Sequence, residues 1–135
     1  MSYKSTFITI APDSDAERGE IKASNRAKKP AHIIQHELLM QNPYKFNHEE
    51  LIFEVYLEKE GLDDVSHNEK IEIWDKLFKK EHPCLRASAL TKKYGFGAHY
   101  NQDGKIALYP IDSEKYQDFV NDDEVKKLPA MRTKR

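Results

Sequence analysis

The stretch NHEELIFEVYLEKEGL, residues 47–62, most constrains the fold, because it carries the start, the apolar face and the end of one helix. Asn47 is a preferred N-cap residue, and Glu50 lies at the third helical position, where its side chain can reach back to the backbone of Asn47. Apolar residues follow at spacings of three and four, as they do along the buried side of a helix. Gly61 can end the helix in a left-handed backbone conformation. The stretch therefore predicts an amphipathic helix that ends at Gly61.

Other segments repeat this helical pattern. SHNEKIEIWDKLFKKEHP has a capping pair at Ser66 and Glu69, an apolar face, and a stop at Pro83. A shorter run, DSEKYQDFVND, has Asp112 or Ser113 as its candidate cap. The predicted helical segments are residues 31–42, 47–61, 66–82 and 112–122, with one or two further turns within 88–95.

Two regions predict strands. STFITIA, residues 5–11, is a β-branched run that ends at Pro12. YGFGAHYNQDGKIALYPI, residues 94–111, predicts a hairpin whose turn NQDG contains Gly104. The order strand, three helices, hairpin, helix predicts the α+β class, with a small antiparallel sheet of the N-terminal strand and the C-terminal hairpin, packed with three to four helices. The first strand can pair with either edge of the hairpin.

The chain length of 135 residues fits a single domain, residues 1–135, with one hydrophobic core. Residues 12–30 are polar without an apolar period and predict a surface loop. Residues 124–135 predict a basic C-terminal tail, since the last ten residues carry five positive charges and no acidic group. Seven Tyr and six Phe in a chain that is 39% hydrophobic argue against a disordered protein.

Composition also narrows the function classes. With a net charge of −1, the chain as a whole lacks the excess of positive charge that is typical of nucleic-acid-binding domains. An adaptor that binds nucleic acid or protein through the basic tail is therefore a lesser alternative. The single cysteine excludes an intramolecular disulfide and a zinc site built from paired cysteines. The N-terminus lacks the features of a signal peptide, and no apolar run approaches the roughly 18 residues of a membrane span. We therefore expect a soluble cytoplasmic protein with no membrane partner.

The segment HPCLRASALTKKYGFGAHYNQDGKIALYPI, residues 82–111, contains the candidate catalytic residues Cys84 and His99. A cysteine nucleophile needs a nearby cation or helix N-terminus and a base within hydrogen-bond reach. Arg86 can stabilise an anion, and His99 or His82 can serve as the base. No catalytic residue is assigned, because the spacing matches no known cysteine loop and an isolated cysteine is commonly a buried apolar residue. A cysteine-dependent enzyme or redox-sensitive protein is therefore an alternative hypothesis.

The first hypothesis is a non-catalytic binding protein for an anionic small molecule, or for an acidic group of a partner, beside the hairpin. Arg86 offers a planar fork for a carboxylate or phosphate, and Ser88 can cap a short helix whose first N–H groups then point outward. The simpler alternative is that Arg86 pairs with a carboxylate of a neighbouring helix. The predicted ligand-binding residues are Arg86, Ser88, Tyr94, His99, Tyr109 and Arg132, with Arg135 as a further contributor.

Gly95 and Gly97 occupy alternate positions of the first hairpin strand, where glycine weakens a strand. Either the backbone bends there, or a group packs closely against it. The candidates for that group are Trp74 and a ligand, and the packing interpretation is favoured.

His32 and His36 lie four residues apart on a predicted helix, a spacing at which two histidines can share a metal ion. No third ligand is evident nearby, although His48 is possible, and a pair of ligands rarely forms a site. We therefore predict no metal site and no cofactor.

Several separated motifs resemble a known family. TFITIAPDSD, NPYKF, PCLRASALTKKYGFGAHYNQDGKIALY and the ending MRTKR occur in one order over most of the chain. Together they resemble a family of small bacterial cytosolic proteins of unknown function. The resemblance implies a single-domain bacterial protein, and it implies that the PCLRAS, YGFGAHY, IALY and MRTKR motifs are family features. It implies no activity, cofactor or catalytic residue.

Overall fold

The structure is a computed structural model that describes residues 3–21 and 29–132. Each segment predicted as helix or strand contains an element of that type, usually shorter than predicted. The described part of the predicted loop 12–30 contains neither helix nor strand, and residues 22–28 lie outside the described residues. In chain order the elements are β1 (Thr6–Thr9), α1 (Ala31–Gln41), α2 (His48–Lys59), α3 (His67–Leu77), a 3₁₀ turn (Leu85–Ala87), α4 (Ala89–Lys92), β2 (Phe96–Tyr100), β3 (Ile106–Pro110), α5 (Glu114–Val120) and β4 (Lys126–Pro129).

The described strands form one sheet in the order β3-β2-β1-β4. β1 runs antiparallel to β2, with Phe7 opposite His99, and β2 runs antiparallel to β3. These are the predicted strands, so the α+β class is confirmed. β4 pairs with β1 in the parallel direction, which makes the sheet mixed rather than wholly antiparallel.

The fourth strand, β4, lies within the segment that the sequence predicts as a basic tail. It is tied to β1 by backbone bonds that include Ala130 N–H to the Thr9 carbonyl at 2.9 Å. Lysine and proline are residues that natural proteins place on the edge strands of sheets. The pattern KKLP is therefore compatible with an edge strand. The strand is not predicted from the sequence because KKLP lacks the alternation of apolar and polar residues that marks a strand.

The main core lies on one face of the sheet, beneath α1, α2 and α4. Successive side chains of a strand point to opposite faces, so alternate residues of β1, β2 and β3 share this core. The capping box at Asn47 and Glu50 forms as predicted, with bonds of 2.8 and 2.9 Å, and fixes the start of α2. The larger buried side chains of this core are Ile8, Ile34, Leu39, Leu51, Leu90, Phe96, Tyr100, Ile106 and Leu108.

The opposite face of the sheet is covered by α5, and Gly97 permits its close approach. A Cβ atom at Gly97 would collide with the ring of Phe7 and lie 2.7 Å from Cε2 of Tyr116. Phe7 also stacks on Phe119 of α5, with ring centroids 5.1 Å apart. The packing interpretation of Gly97 is therefore confirmed, but its partners are Phe7 and Tyr116 rather than Trp74.

The third helix, α3, is attached mainly through aromatic contacts. None of its residues is buried, and Trp74 contacts Phe53 of α2 at a centroid distance of 5.1 Å. Trp74 and Phe78 continue this contact toward His82. The end of α3 is thereby directed toward the segment that contains the single cysteine.

None of the helices in residues 3–21 and 29–132 is both long enough and apolar enough to cross a membrane.

Candidate ligand groove at Cys84

Cys84 lies between α3 and α4, where two cavities adjoin. The larger cavity has a volume of about 430 Å³ and the smaller one about 270 Å³. Pro83, Cys84 and Ala87 line both. We call the two cavities together the Cys84 groove. Cys84 therefore forms part of the wall of each cavity.

The local sequence explains why the cysteine is presented to this groove. Pro83 prevents continuation of the preceding helix. Cys84 has an extended backbone and begins the 3₁₀ turn, in which Ala87 N–H donates to the Cys84 carbonyl at 3.0 Å. Leu85 is buried in the core, whereas Cys84 is half-buried. The turn is therefore anchored by Leu85 and leaves the thiol at the surface of the groove.

The thiol contacts a tyrosine from the beginning of the chain. The Tyr3 hydroxyl lies 3.5 Å from the Cys84 sulfur, a distance compatible with a weak hydrogen bond. Burial and the neighbouring Cys84 raise the pKa of Tyr3, and the Arg86 guanidinium beside it opposes that rise. Tyr3 therefore places a hydroxyl beside the thiol, and Arg86 lies near that hydroxyl.

Tyr100 approaches the same place from the core. Its side chain is fully buried, and its ring packs edge-on against Tyr3 with centroids 5.2 Å apart. Within the described residues the Tyr100 hydroxyl has no hydrogen-bond partner. Burial raises the pKa of Tyr100, and so do Cys84 and Tyr3, whereas the nearby Leu85 backbone N–H opposes the rise without forming a well-aligned hydrogen bond. A buried O–H group without an acceptor is uncommon in native proteins.

His82 is the candidate base that lies in the same cavity as Cys84. Its Nε2 atom lies 2.6 Å from the Leu77 carbonyl oxygen. A carbonyl only accepts hydrogen bonds, so Nε2 carries the proton, and in the neutral ring Nδ1 is the basic nitrogen. His82 is therefore held in one tautomer by the end of α3.

His48 is a residue of the groove that sequence reasoning treated only as a possible metal ligand. It is the first residue of α2, is buried, and lines the larger cavity. Burial lowers the pKa of His48, and the nearby His82 lowers it further. Its position directly after the N-cap Asn47 was visible in the sequence, but that pattern gave no sign that the side chain turns toward Cys84.

Arg86 and Ser88 have structural partners. Arg86 Nε donates to the Pro129 carbonyl at 2.7 Å, which joins the 3₁₀ turn to β4. Ser88 caps α4 as predicted, accepting from Leu90 N–H at 3.1 Å, and its hydroxyl donates to Gln35 at 2.8 Å. Arg86 thus bonds to a backbone carbonyl, rather than to the helix carboxylate that the simpler alternative expected.

His99 and Tyr109 lie on the face of the sheet that carries α5, in what we call the His99 cluster: His99, Tyr44, Tyr109 and Phe119. The Tyr44 hydroxyl lies 2.8 Å from His99 Nδ1 and 2.9 Å from the Tyr109 hydroxyl. The His99 ring stacks on Phe119 with centroids 4.0 Å apart. Burial lowers the pKa of His99, and burial together with the Tyr109 hydroxyl raises that of Tyr44.

The sheet separates Cys84 from His99. Tyr100, which follows His99 in β2, points into the main core and contacts Tyr3, the neighbour of Cys84. Adjacent residues of a strand face opposite sides, so His99 faces away from the thiol. The structure therefore brings Cys84 together with His82 and not with His99.

The other predicted ligand residues lie elsewhere. Tyr94 stacks against His32 with centroids 5.0 Å apart. Arg132 is exposed at the end of the described chain, and Arg135 lies outside the described residues. The six predicted ligand-binding residues therefore do not line a single cleft beside the hairpin.

The histidines of α1 pack against aromatic rings. His36 contacts Phe96 edge-on at 5.0 Å, and burial lowers the pKa of His36. In the part of the chain that the structure describes, no group of three His, Cys, Asp or Glu side chains is placed to hold a metal ion.

The fold and the groove together define a small α+β domain with a candidate ligand site around one half-buried thiol. The family of unknown function DUF6157 matches residues 1–135, and the chain belongs to this family. No curated protein and no solved structure matches the chain.

Proposed function

We propose that this protein binds a small molecule in the Cys84 groove. The observation that carries the proposal is the larger cavity, whose volume of about 430 Å³ lies within the range of small-molecule pockets. Ile52, Phe78 and Met131 give it apolar walls, and the polar side chains in its lining are those of Tyr3, His48, Glu49, Lys80, Glu81 and His82. In ligand sites, apolar walls supply affinity and polar groups fix the orientation of the ligand.

The charges of the larger cavity favour a ligand that carries an acidic group but is not wholly anionic. Lys80 lines the cavity together with Glu49 and Glu81. An acidic group of the ligand would pair with Lys80, whereas a purely anionic ligand would meet the two carboxylates. This proposal keeps the anionic group expected from the sequence and moves it from the hairpin to the groove.

Cysteine-dependent chemistry is the second candidate function, and the position of His82 favours it. His82 and Cys84 line one cavity, and the Leu77 carbonyl fixes the tautomer in which His82 Nδ1 can accept a proton. The sequence motifs support placing either function in the cytosol of a bacterium.

Protection of the thiol tests the binding proposal. The probe is the dye 8-anilinonaphthalene-1-sulfonate, which has an apolar body and one acidic group. We expect the dye to slow alkylation of Cys84 by iodoacetamide about tenfold when present at roughly nine times its Kd, because only the free fraction reacts. Mass spectrometry measures the alkylated fraction directly, since the chain has one cysteine.

A pair of tryptophan variants locates the dye. Ala87 lines both cavities, so the larger side chain of Ala87→Trp should occupy space in them and abolish dye binding. Val120→Trp adds the same side chain at an exposed position on α5 and should leave dye binding intact. Dye that binds without protecting Cys84, or that binds Ala87→Trp as well as wild type, would overturn the proposal.

A further inference from the structure

We propose that the larger cavity binds a carboxylic acid that has an apolar body and a hydroxyl group at the end remote from the carboxylate, and that His48 recognises this hydroxyl group. The inference rests on the proposed binding function and names the class of ligand that the larger cavity takes.

The His48 side chain is a buried polar group of the cavity wall without a protein partner. His48 is 5% exposed and lines the larger cavity. Within residues 3–21 and 29–132 its imidazole ring forms no hydrogen bond, and neither ring nitrogen is fully enclosed. The ring nitrogens therefore reach open space, and the open space that His48 lines is this cavity. A ligand that displaces water from such a group loses affinity unless it supplies a hydrogen bond in its place.

The protonation states of the two histidines in the cavity favour a hydroxyl group as that partner. Burial lowers the pKa of His48, and the nearby His82 lowers it further, so the His48 ring is neutral at pH 7. A neutral imidazole has one donor and one acceptor nitrogen. The Leu77 carbonyl fixes the tautomer of His82, whereas no described residue fixes that of His48. A hydroxyl group both donates and accepts, so it suits either tautomer, whereas a carboxylate only accepts and would also lie near the charge of Glu49.

The carboxylate of the ligand belongs at the exposed part of the cavity. Lys80 and Glu81 are exposed, whereas His48 is buried. Lys80 takes part in none of the ion pairs of the described chain. A ligand carboxylate can therefore pair with Lys80 while it remains partly hydrated. The ligand then has a charged end near solvent and a neutral polar end at His48.

Apolar side chains from two helices supply walls for the body of the ligand. Ile52 follows His48 by four residues on α2, so the two side chains share one face of the helix. Phe78 comes from the end of α3, where its ring contacts Trp74 and His82. Ile52 and Phe78 both line the larger cavity, so an apolar body removes their exposed surface from water when it binds.

Two acids that differ by one hydroxyl group test the inference. The probe p-coumarate is a rigid molecule with a carboxylate at one end and a hydroxyl group at the other, and cinnamate lacks only the hydroxyl group. Displacement of 8-anilinonaphthalene-1-sulfonate from the full-length protein, followed by fluorescence, gives the Kd of each acid. We expect p-coumarate to bind about three- to tenfold more tightly, the size expected of one hydrogen bond. Apolar burial cannot produce this preference, because the hydroxyl group makes the probe less apolar.

Variants at the first residues of α2 and α3 locate the hydroxyl group. His48→Phe keeps an aromatic ring and removes both nitrogens, so the two acids should bind it equally. His48→Gln keeps a donor and an acceptor and should retain most of the preference for p-coumarate. His67→Phe makes the same change at the exposed first residue of α3, which does not line the larger cavity, and should retain the full preference.

A second pair of variants examines the carboxylate end of the ligand. Lys80→Ala removes the cation of the larger cavity, and Lys79→Ala removes its exposed neighbour, which does not line that cavity. We expect both acids to bind about threefold more weakly to Lys80→Ala only, the size expected of one exposed ion pair. The uncharged methyl ester of p-coumarate should bind both variants equally. Unchanged binding of the acids to Lys80→Ala would overturn the pairing of the carboxylate with Lys80.

Equal binding of the two acids to the wild-type protein, or a preference that His48→Phe retains, would overturn the inference. If His48→Phe does not fold, NMR replaces it: the imidazole proton signal that is absent from the spectrum of His48→Gln belongs to His48. The p-coumarate probe should shift this signal more than cinnamate does, and equal shifts would overturn the inference.

The dye separates a failure of this inference from a failure of the binding proposal. If neither acid displaces the dye, but the dye still protects Cys84 from alkylation, the ligand class is wrong and the binding proposal stands. Loss of dye protection as well would overturn both.

Discussion

The Cys84 groove and the His99 cluster lie on opposite faces of one sheet and differ in how their polar groups are satisfied. In the His99 cluster, Tyr44 bonds to both His99 and Tyr109, and Phe119 stacks on the imidazole ring. In the groove, the thiol has a single long contact to Tyr3, and behind Tyr3 the buried Tyr100 hydroxyl forms no well-aligned hydrogen bond to the described residues.

This difference shows that the types of residue in a region do not by themselves identify it as a ligand-binding site. Both regions combine a histidine with tyrosines, and the His99 cluster uses them to hold α5 against the sheet. The groove keeps two adjoining cavities beside a nucleophilic side chain. Buried polar groups that bond to one another stabilise a fold, whereas polar side chains that line a cavity are available to a ligand.

The largest expected effect on stability comes from a comparison of packing on the α5 face of the sheet with packing at the Cys84 groove. Gly97→Ala should lower the free energy of unfolding by about 3 kcal/mol, because the added methyl group collides with Phe7 and Tyr116 in a closely packed layer. Ala87→Val adds volume at the open groove and should change stability by less than about 0.5 kcal/mol. Urea unfolding followed by circular dichroism measures both. Equal losses would mean that the groove is packed as tightly as the α5 face.

The fold could be predicted to the extent that its signals are local in sequence. The cap at Asn47, the stop at Pro83 and the turn glycine Gly104 each act within a few residues, so the helices and the hairpin were predicted at the correct places. β4 was missed because a parallel edge strand needs no apolar alternation, and its pairing with β1 depends on residues more than 100 positions earlier.

The groove was only partly predictable, for the same reason. The sequence singled out Cys84, His82 and Arg86, which lie within five residues of one another. Tyr3 and His48 come from distant parts of the chain, and only the folded structure brings them to the thiol. Nearness in sequence groups His99 with Cys84, but the alternation of side chains along β2 places His99 on the other face of the sheet.

The second prediction contrasts the Tyr44 hydroxyl of the His99 cluster with the Tyr3 hydroxyl of the groove. Tyr44→Phe removes the group that joins His99 and Tyr109 and should cost about 1–2 kcal/mol, since both partners lose a short bond. Tyr3→Phe removes a 3.5 Å contact to sulfur and should cost less than about 0.5 kcal/mol. Chemical denaturation of the two variants measures the difference. A larger loss for Tyr3→Phe would reverse the comparison.

Acid should weaken the folded protein through histidines of both regions. Burial lowers the pKa of His48 in the groove and of His99 in the cluster, so below about pH 6.5 the unfolded chain takes up protons that the folded protein resists. We expect the melting temperature to fall between about pH 7.5 and pH 5.5, more steeply than carboxylate protonation alone allows. His99→Gln should reduce this fall, whereas His67→Gln, at an exposed position of α3, should not. An equal fall in all three proteins would show that other groups cause it.

The smallest expected effect on stability is also the most specific to the groove. Tyr100→Phe deletes a buried hydroxyl that has no partner in the described structure, so the variant should be as stable as wild type, or up to about 1 kcal/mol more stable. If that hydroxyl instead helps to hold Tyr3 against Cys84, the same variant should change the rate at which iodoacetamide alkylates the thiol. The control for alkylation is Tyr109→Phe, because it removes a tyrosine hydroxyl on the other face of the sheet. Phe7→Tyr would not serve, because Phe7 packs closely against Tyr116 and Phe119. A Tyr100→Phe variant that loses stability and keeps the alkylation profile would show that the hydroxyl supports the core and has no part in the groove.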